Sequence, residues 1–154
     1  MTIALASQDS PSTAAPRAAA VPTRCVIVVD AALPAGRAAN AASVIALTIG
    51  QRHPELVGAP LVDATGHAHP GLIPIGIAVL GAEQSALGEL RSKALLAGCD
   101  VVDFPVQGQQ TTDYQAFLDA VRAAPAASLQ YVGIALVGEK KPISKLVANL
   151  RLLK

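Results

Sequence analysis

The sequence has no tryptophan, two tyrosines, two phenylalanines, two cysteines and one methionine in 154 residues. Four aromatic side chains (Phe104, Tyr114, Phe117 and Tyr131) are too few for the stacking platforms on which single-strand binders lay successive bases. Neither sign of charge is in excess, since 12 Lys and Arg stand against 11 Asp and Glu for a net charge of +1. That balance generates no field able to draw in an extended nucleic acid or an anionic membrane surface, which makes tRNA an unfavoured partner. Long apolar runs are missing too. The longest, Leu72 to Ala82 (LIPIGIAVLGA), is broken by Pro74, Gly76 and Gly81 and falls short of the roughly 18 residues that a membrane-spanning helix needs. The opening stretch MTIALASQDS lacks the basic segment and the longer apolar run of a secretory signal. Cys25 and Cys99 stand alone, without CxxC spacing or neighbouring ligand types, and read as small buried hydrophobes of a reducing compartment. A cytoplasmic protein is expected. GxSxG, GxGxxG, phosphate-loop and HExxH patterns are all absent, and Ser43 has no histidine in suitable context, so no nucleophilic triad and no cofactor are expected.

What is present is alanine, 31 residues of it, in a chain that is 52% hydrophobic and 15% charged. A length within the usual range of one domain and this apolar content describe a single globular unit with its own core. Residues 1–22 are Ala, Ser, Thr and Pro without sustained periodicity and read as a disordered tail, leaving one α/β domain over 23–154. Arg24 opens the run CVIVVD, apolar on both faces and therefore a strand buried on both sides. After it, Ala35, Ala38, Ala39, Ala42, Ile45, Ala46 and Ile49 recur at helical spacing and present a flat face of small residues. Residues 53–72 read as a long loop with at most a short extended piece at Leu61 and Val62. Residues 73–80 predict a second strand. A helix follows in which Leu87, Leu90, Ala94 and Leu95 share a stripe, Glu89 pairs with Lys93, and Gly98 closes the end. DVVDF is a third strand and PVQGQQ a loop. Thr112 and Gln115 have capping-box spacing before a helix carrying Tyr114, Phe117, Leu118 and Val121, whose aromatics read as core contacts. LQYVGIALVG is a fourth strand, and PISKLVANLRLL a closing helix with Ile143, Leu146, Val147 and Leu150 on one stripe. The alternation implies an α/β sandwich of about four strands with helices on both faces.

In such sheets ligands collect beyond the carboxyl ends of the strands. The segment after the first strand fits best, because Asp30 ends the strand, Gly36 and Arg37 open the helix, and Arg37 and Asn40 are helical neighbours. A helix N-terminus with a guanidinium can hold a phosphate or carboxylate; equally, Arg37 could lie along the surface and Asn40 bond locally. Asp63, His67 and His69 have spacing that could converge on a metal, yet nothing nearby completes a closed shell, and no metal is expected. A proton-transfer role for one of these histidines is the alternative. The loop Gln107-Gly108-Gln109-Gln110-Thr111-Thr112-Asp113 also lies at a sheet end, where it either hydrogen-bonds a polar ligand, through Gln107, Gly108, Thr111 and Thr112 above all, or serves only as entry to the next helix.

Two stretches, CVIVVDAALPAGRAANAAS and YVGIALVGEKKPISKLVANLRLL, resemble the opening and closing units of the type II peptidyl-tRNA hydrolase superfamily. HPGLIPIGIAVL, DVVDF and TTDY resemble more closely an uncharacterised bacterial branch, domain of unknown function two thousand. The resemblance covers about residues 23–154 and implies a three-layer α/β/α sandwich with a mixed sheet. It also implies where activity would sit. The hydrolases carry Gly-Lys-x-Ala-x-Gln-x-x-His in the first helix, and here Gly36 matches, Arg37 replaces the lysine, Ala41 the glutamine and Val44 the histidine. Their Asp-Ala-Gly-x-Thr motif after the third strand keeps only Gly108, with Val106 and Gln110 in place of the aspartate and threonine. Ala41 and Val106 can neither orient nor deprotonate water. Three readings follow: a non-hydrolase binding a small anionic or polar ligand through Gly36, Arg37, Asn40, Gln107, Gly108, Thr111 and Thr112; an ester hydrolase with catalysis moved to Arg37, Asp63 and His67; or a structural protein, with a homodimer as partner.

Overall fold

The structure, a computed structural model, describes residues 20–154. Most of the tail expected over 1–22 therefore lies outside the described residues; within 20–22, Pro22 is already buried. The elements run β1 (Arg24–Asp30), α1 (Ala35–Arg52), β2 (Leu61–Val62), β3 (Ala68–His69), β4 (Ala78–Ala82), α2 (Gln84–Leu96), β5 (Asp100–Pro105), α3 (Gln107–Gln110), α4 (Tyr114–Ala123), β6 (Tyr131–Gly138), α5 (Lys140–Leu146) and β7 (Arg151–Leu152). Five strands form one mixed sheet in the order β5-β6-β1-β4-β7, with β1 and β4 parallel and the other pairs antiparallel. β2 and β3 make a separate hairpin.

β1 lies between two strands and is covered on both faces, as its unbroken apolar run requires. Cys25, Ile27 and Val29 pack towards α1 with Ala38, Ala41, Ile45 and Ile49. Val26 and Val28 point the other way, to Leu87 and Ala94 of α2 and Ile143 of α5. Both cysteines are free and buried, and desolvation raises the Cys25 thiol to about 11. In β6 the alternation slips once, at the bulge where Phe104 faces Gly133 but Pro105 faces Tyr131. Val132 thereby joins the α1 side while Tyr131 joins the α2 side, as an extra residue in one strand produces.

Several expected boundaries move. The second strand begins at Ala78 rather than residue 73, because the chain turns at Gly76, where φ is +67°. The long loop holds the two-residue hairpin. PVQGQQ is not loop throughout, since Gln107–Gln110 forms a helical turn. The cap of α4 is Asp113 and not Thr112: its carboxylate accepts from Ala116 N at 2.8 Å, three residues on, as an N-cap side chain does. Tyr114 is 73% exposed and is not a core residue, although Phe104 is buried. Gly98 does close α2, with φ +78° and the paired bonds Gly98 N to Leu95 O and Cys99 N to Ala94 O that define a Schellman ending. The four-strand count becomes five because the closing helix stops at Leu146 and residues 151–152 pair with β4. The open edge of β4 offers unpaired backbone groups to this segment, and Leu153 N donates to Val79 O at 3.0 Å.

At the far end of α1, Arg52 Nε and Nη2 donate to Asp100 Oδ2 and Oδ1 at 2.8 and 2.6 Å. His53 Nε2 donates to Asp100 Oδ2 at 2.7 Å. This cluster pins the C-terminus of α1 to the start of β5, and the Arg52 hydrogen bond foremost holds the Asp100 carboxyl below its ordinary range. A carboxylate depressed in the folded state contributes stability above its unfolded value of about 3.9, which is lost as pH falls through the folded value. Asp100→Asn is therefore expected to lose about 1 kcal/mol at neutral pH in urea unfolding, with the gap to wild type narrowing as the pH falls below the unfolded carboxylate value of about 3.9.

Candidate functional site

β5 and β1 are each antiparallel to β6 and so run the same way, which brings the carboxyl ends of β1, β4 and β5 to one end of the sheet. Asp30, 8% exposed, turns the chain there by accepting from Ala32 N through Oδ1 at 2.9 Å. α1 then starts at Ala35, preceded by Pro34, with no side-chain cap and no acidic residue in its first turn. Its N-terminal partial positive charge is thus left without an internal counter-charge. Gly36 is exposed, and a Cβ there would meet nothing within 4 Å, so space rather than crowding surrounds this turn.

α3 meets α1 at this point. Gln109 Nε2 donates to the Arg37 carbonyl at 2.9 Å and to Asn40 Oδ1 at 3.1 Å. The amide nitrogen faces two acceptors, which leaves Gln109 Oε1 turned away; it and Gln107 Oε1 are buried with no hydrogen-bond partner among the described residues. Buried amide oxygens cost free energy unless a donor reaches them. Gly108 sits so close to the Phe104 ring that a Cβ would lie 2.1 Å from Cε2. Thr111 Oγ1 donates to the Gln107 carbonyl at 2.8 Å and closes the α3 turn. Gly108, Thr111 and Thr112 border a depression of about 190 Å³ shared with Asp113, Tyr114 and Phe117. On the opposite flank of α1, Leu33, Ala35, Ala39, Ala42 and Leu153 line an apolar groove of about 330 Å³.

Among the residues expected from sequence, Arg37, Asn40, Gly108 and the Gln107–Thr112 segment thus share one end of the sheet. Asp63 and His67 have no hydrogen bond to them. Asp63 Oδ1 accepts from Thr65 Oγ1 at 2.6 Å, Thr65 N at 2.9 Å and His67 N at 3.1 Å, inside its own hairpin. Those bonds, the Thr65 hydroxyl first, lower the Asp63 carboxyl to about 2, where it is a poor proton acceptor. His69 Nε2 donates to Asp63 Oδ2 at 3.2 Å. No group of three or more His, Cys, Asp or Glu among the described residues is placed to hold a metal ion. No helix among them is long and apolar enough to cross a membrane.

Gln109 belongs to the polar loop expected at the sheet end, but residue patterns do not give its partners. Its partners lie 69 and 72 positions away in the chain, and one of them is a backbone carbonyl. The nearest hint in the sequence is the glutamine-rich QGQQ after an apolar strand.

Ala41 is fully buried among the β1 and β6 side chains, and Val106 packs against the same core. Comparison with known proteins matches residues 23–154 to the family described as protein of unknown function (DUF2000). A solved structure of a protein of unknown function from Agrobacterium tumefaciens is similar, with a TM-score of 0.75 at 19% identity, covering 84% of this chain and 96% of that one. That likeness concerns the fold alone. No curated protein matches.

Because Phe104 is buried and cannot swing into water, Gly108→Ala is expected to displace α3 and cost about 1–3 kcal/mol in urea unfolding. Gln109→Ala, which removes two hydrogen bonds together with an unpaired buried oxygen from a half-buried position, is expected to cost about 1 kcal/mol or less by the same measurement.

Proposed function

The chain belongs to the DUF2000 family, and from that premise we propose that it binds a small polar or anionic ligand at the carboxyl end of the sheet, between α1 and α3. The observation carrying this reading is the convergence of Gln109 on Arg37 and Asn40 with two buried amide oxygens left unpaired. A ligand seated there meets donors from the Arg37 guanidinium and Asn40 amide, and acceptors from Gln107 and Gln109. The uncapped start of α1 adds a partial positive charge that favours an anionic group.

In the same reading the fold is that of the type II peptidyl-tRNA hydrolases without their chemistry. The order of elements supports the first half. Ala41, filling core volume, and apolar Val106 support the second, since neither position offers a group that could activate water. Asp63, committed to its hairpin turn, counts against a relocated base.

Backbone NMR titration with inorganic phosphate, acetate and acetamide tests the binding proposal. Saturable shifts in the first turn of α1 and in α3 are expected, weakened there about tenfold or more in Arg37→Ala, as the loss of a charge-assisted hydrogen bond predicts. Absence of saturation by all three probes would refute it. Purified protein is expected to release no peptide from peptidyl-tRNA; turnover that disappears in Arg37→Ala would replace the proposal with the hydrolase reading.

A further inference from the structure

On the sheet face opposite α1, a cavity of about 330 Å³ opens between α2 and the connection into β6. Its walls include Arg91, Ser92, Ala126, Ala127, Leu129 and Tyr131. Arg91 reaches across from α2, and its Nε donates to Asp103 Oδ2 on β5. Its guanidinium carbon stands 5.7 Å from the centroid of the Tyr131 ring, which is itself 6% exposed. An ion pair on one edge and an aromatic face beneath hold the group in place without burying it; the side chain remains 34% exposed. Among the described residues, no acceptor meets its two terminal nitrogens.

That edge of a guanidinium matches a carboxylate, which can take one hydrogen bond from each nitrogen. A group already fixed by Asp103 and Tyr131 loses little further freedom on binding. Ala126, Ala127 and Leu129 supply an apolar wall beside the charge, the mixture that small-molecule sites combine. Glu89 also borders the cavity, but its Oε1 is held by Lys93 Nζ at 2.7 Å. Asp103 offsets the charge of Arg91, and Lys93 that of Glu89, so no surplus positive charge favours a phosphate dianion and a monoanion suits the site better.

We propose that this cavity binds a small organic monocarboxylate, its oxygens accepting from Nη1 and Nη2 of Arg91 and its hydrocarbon part resting against Leu129, Ala126 and Ala127. The site is separate from the α1–α3 group and stands or falls independently of it.

Since the chain has no tryptophan and two tyrosines, Tyr114→Phe leaves Tyr131 as its only tyrosine and the reporter of this cavity. Tyrosine fluorescence of that variant is followed during titration with butyrate at constant ionic strength, with butyramide and inorganic phosphate as comparators. A saturable change with butyrate alone is expected. Adding Arg91→Gln should weaken it about tenfold or more, and adding Arg37→Ala should leave it unchanged. Ala127→Phe fills the cavity from an exposed turn without removing Arg91 and should weaken butyrate equally, which preserves the test if Arg91→Gln unfolds. No saturation with butyrate, an equal response to butyramide, tighter binding of phosphate, or butyrate affinity unchanged in Ala127→Phe would overturn the proposal.

Discussion

Burial of β1 on both faces is the constraint from which the other elements take their places. Val26, Val28 and Val29 are entirely enclosed, and Cys25 and Ile27 nearly so. A strand apolar on both sides cannot face water on either, so one helix layer must cover each face and a strand must occupy each edge. β6 and β4 supply the edges, α1 covers one face, and α2 with α5 covers the other. The hairpin of β2 and β3 lies outside this arrangement, with all four of its strand residues exposed.

Alanine determines how near α1 comes. Ala38 and Ala41 bring the helix backbone against the sheet, and a Cβ on Gly133 of β6 would lie only 3.0 Å from Ile45 Cδ1. Close packing of this kind tolerates little added volume. The closeness that excludes a polar side chain at Ala41 also sets the first turn of α1 beside the end of β5. There Phe104, packed under Gly108, positions α3, and α3 carries Gln109 to Arg37 and Asn40. Core packing and the polar group at the sheet end are therefore one construction. The bulge in β6 has a similar double effect, since turning Tyr131 to the α2 side gives Arg91 its aromatic support.

The elements most readable from residues alone were those with one dominant signal. β1, β5 and β6 are β-branched runs, and α2 ends on a glycine whose positive φ no other residue adopts as readily. Less readable were elements where two signals competed. Ile143, Leu146, Val147 and Leu150 keep a helical spacing, and Ile143 and Val147 are indeed buried. Yet the helix gives way to β7, because a spacing rule does not register the open edge of β4. Thr112 and Asp113 are both capping residues, and one position decided between them. At the sheet end, Gly36, Arg37, Asn40 and the loop that holds Gln109 could be named from local order alone, whereas the contact of Gln109 with Arg37 and Asn40 could not.

By itself, the sequence determined the class of fold, the two-faced strand at its centre, the small-residue helix against it, and the absence of familiar catalytic motifs. These are properties of neighbouring residues, expressed through periodicity and composition. Tertiary structure decided the fifth strand, the β6 bulge, the commitment of Asp63 to hydrogen bonds within its own hairpin, and the meeting of Arg91 with Asp103 and Tyr131. Each of those depends on groups brought together by packing, and the energy of a contact between distant residues leaves no mark on the spacing of either.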